Sequence, residues 1–353
     1  MKREQVGLDV QASEVKQVNP NPSSVIQFQP LQTAVLLVNL GTPLLPTHRE
    51  VTRFLKEFLA DPCVVDLPKI LRWALQLILP FRAKRVVKLY QSIWMKEGSP
   101  LKVYSHRLGE GLQGALQETI ERYNTEVTVH VAMTYGNPNI IATVNEILNN
   151  KIDRLIVLPL FPQYSKATTK PIWNKLCDAL KHRLVIPDFH FINEYANNHL
   201  YIQALAESIA QFWRERGKSE QLLFSFHGVP VRNLIQGDTY PTTCRALALR
   251  VAEELKIPEN SYAISFQSRF GLSPWMRPYT DQQLRDWAGL GVKSVDVVSP
   301  SFAVDCLETL EELDIGMRHL FLASGGEKYQ YIPALNDNQA HIEALKGLII
   351  KFF

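Results

Sequence analysis

Cysteine is scarce in this chain. Cys63, Cys177, Cys244 and Cys306 are scattered through 353 residues, and no two form a CxxC pair. That excludes a thiolate zinc cluster and a disulfide framework, and it points to a reducing compartment, the cytoplasm. Long apolar runs are also missing: no stretch reaches the roughly 18 residues of a membrane span. Residues 1–30 are polar and lack the basic start and apolar run of a signal peptide. They read as a mobile tail. Charge of one sign is in short supply, since the formal net charge is +3, too small to argue for a nucleic-acid partner. No GxGxxG follows the first apolar run and no GxxxxGKS occurs, which argues against a dinucleotide or P-loop site. The GxSxG nucleophile elbow is absent too. Apolar content of 46% and charged content of 21% are those of an ordinary globular protein.

What is present is alternation. Thr33 to Leu40 is a short, almost purely apolar run ending in Gly41-Thr42-Pro43, the pattern of a buried parallel strand opening onto a loop. Residues 48–60 have helical spacing. Further strands are expected at 126–133, 154–160, 188–193, 221–226, 261–266, 294–299 and 329–335. Helices are expected at 101–123, 138–149, 171–182, 197–215, 241–256, 280–289, 304–317 and 338–350. Such alternation implies an α/β protein with parallel sheets flanked by helices. Its two blocks of strands suggest two doubly wound lobes, 31–189 and 190–353, with the terminal helix packing back. Residues 67–81, LPKILRWALQLILPF, stand apart. They contain Pro68 and Pro80, lead into Arg82, Lys84 and Arg85, and are apolar nearly all round. This segment reads as a core helix or as an exposed apolar lip, suited to a membrane surface or an apolar ligand.

In doubly wound sheets, ligands sit beyond the carboxyl ends of the strands. One strand ends in Ser225-Phe226-His227-Gly228-Val229-Pro230, which places an imidazole where chemistry occurs. Another opens onto residues 299–314, which carry Asp305, Glu308, Glu311 and Glu312. Helical spacing would put Asp305, Glu308 and Glu312 on one stripe. That stripe is either a solvated first turn favoured by the helix dipole or a line of proton or cation sites. Trp275 and Tyr279 supply aromatic planes on a third loop, and Tyr135 and Tyr164 end two more strands. A histidine and carboxylates among aromatic loops describe a site for a large flat ligand and a cation. Such a donor set suits a divalent ion such as ferrous iron.

These residues fall in motifs that resemble the ferrochelatase signature regions. They are LLVNLGTP at 36–43, EGSPL at 97–101, TYGNP at 134–138, FPQYSKATT at 161–169, SFHGVP at 225–230, YPTTC at 240–244, FQSRFGLSPWMRPYTD at 266–281 and DCLETLEELD at 305–314. The resemblance implies two Rossmann-like lobes with parallel sheets, like the class II chelatases, and a porphyrin cleft between them. It implies a lyase that inserts ferrous iron into protoporphyrin IX to give protoheme. His227 and Glu308 are then the catalytic and metal-binding pair, and Asp305 and Glu312 pass protons or iron along the acidic line. Substrate binding falls to Leu40, Arg82, Arg85, Ser99, Tyr135, Tyr164 and Trp275, the two arginines and Ser99 serving the propionates. The family often has His where this chain has Cys306, and many members have Arg where it has Thr134. Animal members hold an iron–sulfur cluster through a cysteine of the FPQYS loop and three near the C terminus. Here that loop position is Lys166 and no cysteine follows Cys306, so no cluster and no other resident cofactor is expected. The partners are protoporphyrin IX and ferrous iron, with peripheral membrane contact through 67–81. A coproporphyrin ferrochelatase, a sirohydrochlorin chelatase and a porphyrin or heme carrier without turnover are the rival readings.

Overall fold

The computed structural model describes residues 29–65, 68–120, 123–269 and 273–353. The expected tail, through residue 28, and Leu67 of the lip lie outside them. The chain builds two four-stranded parallel sheets. The first has the order β2-β1-β3-β4, from β1 (Leu31–Asn39), β2 (Thr125–Met133), β3 (Arg154–Pro159) and β4 (Asp188–Phe191). The second has the order β6-β5-β7-β8, from β5 (Gln221–His227), β6 (Tyr262–Gln267), β7 (Ser294–Val298) and β8 (Lys328–Ile332). Central strands are continuous buried runs, Ala34 to Val38 in β1 and Leu222 to Phe226 in β5, because helices cover both faces of a doubly wound sheet. In each sheet the chain winds outward on one side and then reverses. The reversals fall between β1 and β3 and between β5 and β7, where such folds bind ligands.

The connecting helices are α1 (His48–Ala60), α2 (Lys69–Ile93), α3 (Pro100–Ile120), α4 (Ile140–Asn149), α5 (Thr169–Leu180), α6 (His199–Arg216), α7 (Val231–Ile235), α8 (Tyr240–Glu254) and α9 (Thr280–Gly289). A π-helix (Glu308–Met317), α10 (Arg318–Ala323) and α11 (Gln339–Ile350) complete the chain. α11 packs on α3 and α6. One apolar core takes in Leu37 and Leu108 from the first half and Phe224 and Leu345 from the second.

Two expectations fail here for physical reasons. The 67–81 segment is not an element of its own, since the helix runs on past Pro80. Pro80 lies inside the 25-residue α2, its carbonyl meets His48 Nε2 at 2.7 Å, and α2 packs along α1. Tertiary contact thus outweighs the roughly 3 kcal/mol that an interior proline costs. The acidic segment is not an α-helix from 304. It becomes a π-helix at Glu308, and π-turns concentrate at functional sites. Asp305 precedes that helix, so the expected stripe of three acids does not form.

Candidate active site

The apolar run of β5 delivers His227 to the sheet's carboxyl edge. Its backbone N–H donates to Ser301 Oγ at 3.2 Å, and its Nδ1 lies 2.7 Å from the Gly228 carbonyl oxygen. A carbonyl can only accept, so Nδ1 carries a hydrogen, and in the neutral ring Nε2 keeps its lone pair. The imidazole is therefore set as a proton or metal acceptor. Gly228 N donates to the Gln267 carbonyl at 2.8 Å. A Cβ at Gly228 would stand 2.7 Å from that oxygen and 3.2 Å from Trp275 Cε3. Only glycine fits between the Gln267 carbonyl and Trp275 here.

Gln267, the last residue of β6, joins this strand end to the acids. Its Oε1 accepts from Ser225 Oγ at 2.8 Å, and its Nε2 donates to the Glu308 carbonyl at 2.9 Å. The next residue, Ser268, holds Glu312. Its N–H donates to Glu312 Oε1 at 2.9 Å and its hydroxyl to Oε2. Ser268 adopts φ 62°, a left-handed conformation that costs a non-glycine residue about 1 kcal/mol or more. Burial raises the Glu312 carboxyl above the usual range; Ser268 and nearby His227 pull it partly back, and Glu308 pushes it up. Glu312 thus feels both the imidazole and the first acid of the π-helix. An acid whose pKa is raised on folding stabilises the fold below its unfolded pKa, and this stabilisation is lost as pH rises through the folded value. Glu312→Gln is therefore expected to gain thermal stability over the parent at pH 7–8, with the gap closing below about pH 4.5. Melting temperatures across pH check this.

Asp305 has a different task. It is buried, and its Oδ1 accepts from Tyr331 OH at 2.7 Å, Thr309 Oγ1 at 2.9 Å and Ala334 N at 3.3 Å. Its Oδ2 accepts from Asn336 Nδ2 at 2.8 Å, and its own N–H donates to Asn336 Oδ1 at 2.7 Å. A carboxylate so saturated anchors the entry to the π-helix. Burial and the Glu308 carboxylate push the Cys306 thiol well above its ordinary range.

Glu308 also lines a pocket of ≈170 Å3 between the end of β1, α1, α2 and the start of α3. Leu40 and Ser99 stand on its wall with Phe54, Leu55, Phe58, Val86, Tyr90 and Ile93. His227 and Trp275 lie outside that wall, at the edge of the second sheet. Arg82 and Arg85 are exposed on α2, and Arg85 acts on Glu311 of the π-helix, partly offsetting the burial that raises this carboxyl. Tyr164 is half-buried near Asp238 and Cys63, and burial chiefly raises its hydroxyl pKa.

Tyr135 departs furthest from expectation. It is 1% exposed, its hydroxyl donates to Asp61 Oδ2 at 2.9 Å, and its ring meets Phe58 edge-on at 5.3 Å. It stands behind the pocket wall rather than on it. Tyr135→Phe is therefore expected to lower stability by about 1–2 kcal/mol, since a buried acceptor loses its donor, with turnover changed less than threefold. Denaturant melts and steady-state rates test this. In the lip, Leu79 is buried and Leu77 is exposed.

Several residues of the site escape a reading of the sequence. The apolar face of α1, Val51, Phe54, Leu55 and Phe58, has helical spacing that equally describes a helix buried in a core. Gln267, Ser268 and Ser301 carry no signal beyond their place after strands. Tyr90 lies in α2, where apolar periodicity hides its hydroxyl; burial and then Glu308 push that hydroxyl well above its ordinary range.

Comparison with known proteins agrees with this fold. Among solved structures, SirB from Bacillus subtilis with Fe3+ has a TM-score of 0.52 at 9% identity, covering 91% of this chain and 95% of that one. The sirohydrochlorin chelatase SirB from Bacillus subtilis subspecies spizizenii in complex with cobalt gives 0.51 at 10%, again covering 91% and 95%. At such identities the likeness shows the fold alone. Closer in sequence, the ferrochelatase of Enterobacter sp. (strain 638) is 44% identical over 320 residues, 90% of this chain and 98% of that protein. That of Methylococcus capsulatus (strain ATCC 33009 / NCIMB 11132 / Bath) is 43% identical over 320 residues, 90% of this chain and 96% of that protein. The family model for ferrochelatase matches residues 32–352. The chain belongs to the ferrochelatase family, the lyases that insert ferrous iron into a porphyrin in heme biosynthesis.

Proposed function

We propose that the chain inserts ferrous iron into protoporphyrin IX, with His227 taking the pyrrole protons and Glu308 meeting the metal. The observation that carries this reading is the His227 tautomer: the Gly228 carbonyl takes Nδ1–H, so Nε2 is an acceptor. A porphyrin must lose two pyrrole protons while the hydrated metal sheds water. A positioned base contributes about 10²–10⁴-fold to such a proton transfer. Glu312, held up toward its neutral form by burial, receives protons from the reaction and hands them outward. Asp305 fixes the helix that carries Glu308. One edge of the macrocycle enters the apolar pocket beside Glu308, and Trp275 packs near its other side. Substrate binding energy bends the ring and exposes its nitrogens. Arg82 and Arg85, on the rim of α2, take the propionates, as arginine suits carboxylates.

The pocket wall of Phe54, Leu55, Phe58, Val86 and Ile93 favours the less charged protoporphyrin over coproporphyrin. No resident cofactor enters this scheme, because iron is a substrate. The four cysteines are free thiols, which suits the cytoplasm, and among the described residues no helix is long and apolar enough to cross a membrane. Anaerobic competition between protoporphyrin IX and coproporphyrin III for ferrous iron, followed by absorbance, tests the reading. Faster formation of protoheme supports it. Preferential turnover of coproporphyrin overturns the substrate assignment, and porphyrin binding with no insertion of either overturns the chemistry.

A further inference from the structure

We infer that His341, on the C-terminal helix α11, is a positioning residue for iron insertion: acting through Asn336 and Asp305, it sets where Glu308 stands in the pocket wall. The inference rests on the reading of Glu308 as the acid that meets the metal. His341 is fully buried, and its ring packs on Tyr201 of α6 with centroids 6.1 Å apart. Burial pushes its pKa down to about 4, so the ring is neutral at pH 7. Its Nδ1 lies 2.7 Å from the Asn336 carbonyl oxygen. That oxygen can only accept, so the ring hydrogen sits on Nδ1. Nε2 has no hydrogen-bond partner among the described residues. A buried polar atom in that condition is destabilising, and an aliphatic side chain would fill this site without it. What the imidazole adds is the bond from Nδ1.

That bond holds Asn336, which adopts φ 50°, a left-handed conformation that asparagine tolerates better than most residues. So placed, Asn336 grips the chain ahead of the π-helix. Its backbone N–H donates to the Ala303 carbonyl at 3.1 Å. Its Nδ2 donates to Asp305 Oδ2 at 2.8 Å, and its Oδ1 accepts the Asp305 N–H at 2.7 Å. Asp305 Oδ1 in turn accepts from Thr309 Oγ1 at 2.9 Å, across the turn that carries Glu308. The residue after His341 is fixed to the first half of the chain. A Cβ on Gly111 of α3 would stand 2.5 Å from Ile342 Cδ1, and the start of α3, Pro100 and Leu101, lines the pocket with Glu308. Neighbouring residues of α11 thus hold both the support of the acid and a helix of the pocket wall. Close-packed interiors transmit such shifts, and a displacement of about 1 Å at a reacting group can lower a rate by ~10²-fold.

The test compares His341→Leu, which removes the donor, with His341→Asn, whose amide nitrogen can stand where Nδ1 stood. His341→Leu should stay folded at the assay temperature and bind porphyrin with the parent's midpoint in fluorescence quenching. Its rate of anaerobic ferrous iron insertion should fall by about ten- to a hundredfold. His341→Asn should recover most of that rate. Asn336→Gly is a second route, since glycine adopts φ 50° freely and only the side-chain grip is lost. It should show the same fall at unchanged porphyrin binding. Parent-like insertion by either His341→Leu or Asn336→Gly overturns the inference. So does a loss in His341→Leu that its folded fraction accounts for and that His341→Asn does not relieve. A denaturant-unfolding cycle of His341→Leu with Asp305→Asn reads the link without turnover, so it separates failure of this inference from failure of the insertion reading. Substitutions that act through one shared partner, Asn336, should be non-additive, and additive losses of stability overturn the inference.

Discussion

Replacing His227 with alanine is expected to lower the rate of ferrous iron insertion by about 10²–10⁴-fold while porphyrin still binds. The imidazole is fixed from two sides, by Ser301 at its backbone and by the Gly228 carbonyl at Nδ1, so its lone pair needs no reorganisation to accept a proton. Removing it leaves the apolar pocket beside Glu308 intact, because no wall of that pocket comes from His227. Porphyrin fluorescence quenching should therefore keep its midpoint while the absorbance change of metallation disappears. Parent-like turnover in His227→Ala would take this residue out of the chemistry.

Asp305→Ala is expected to destabilise the fold by about 3–5 kcal/mol, because it leaves several buried donors unpaired at once. The donors left behind are the Tyr331 and Thr309 hydroxyls, the Ala334 N–H and the Asn336 amide, and each buried orphan costs about 1–3 kcal/mol. Asp305→Asn should cost less, since it keeps one acceptor oxygen. Denaturant unfolding separates this from a relay role. A proton relay would lose turnover at unchanged stability, whereas an anchor loses stability first, and turnover falls as the start of the π-helix slips.

Much of this architecture was legible beforehand. The central strands are uninterrupted apolar runs such as Ala34–Val38, and those runs together with the intervening helical periodicity specify parallel sheets. The end of β5 then selects His227, whereas Glu308 stands out from the neighbouring acids only through the family resemblance. What the chain could not disclose depends on three-dimensional context. The number of residues per turn at 308–317 is decided by hydrogen bonds from residues far away in sequence, among them Gln267 to the Glu308 carbonyl. Asp305 reads as one more acid until its four donors, from 309 to 336, are assembled around it. Tyr135 reads as a ligand-facing aromatic because a strand end is where ligands bind, and only Asp61, from the far end of α1, draws it behind the wall.

The central claim is that imidazole and acid serve the same macrocycle. A double-mutant cycle of His227→Ala and Glu308→Ala on the rate of anaerobic iron insertion tests it most directly. Groups that act as a unit are strongly non-additive, so the double variant should be no slower than the worse single one, with porphyrin binding retained throughout. Losses that multiply as independent factors, or a Glu308→Ala enzyme that turns over like the parent, would contradict the account.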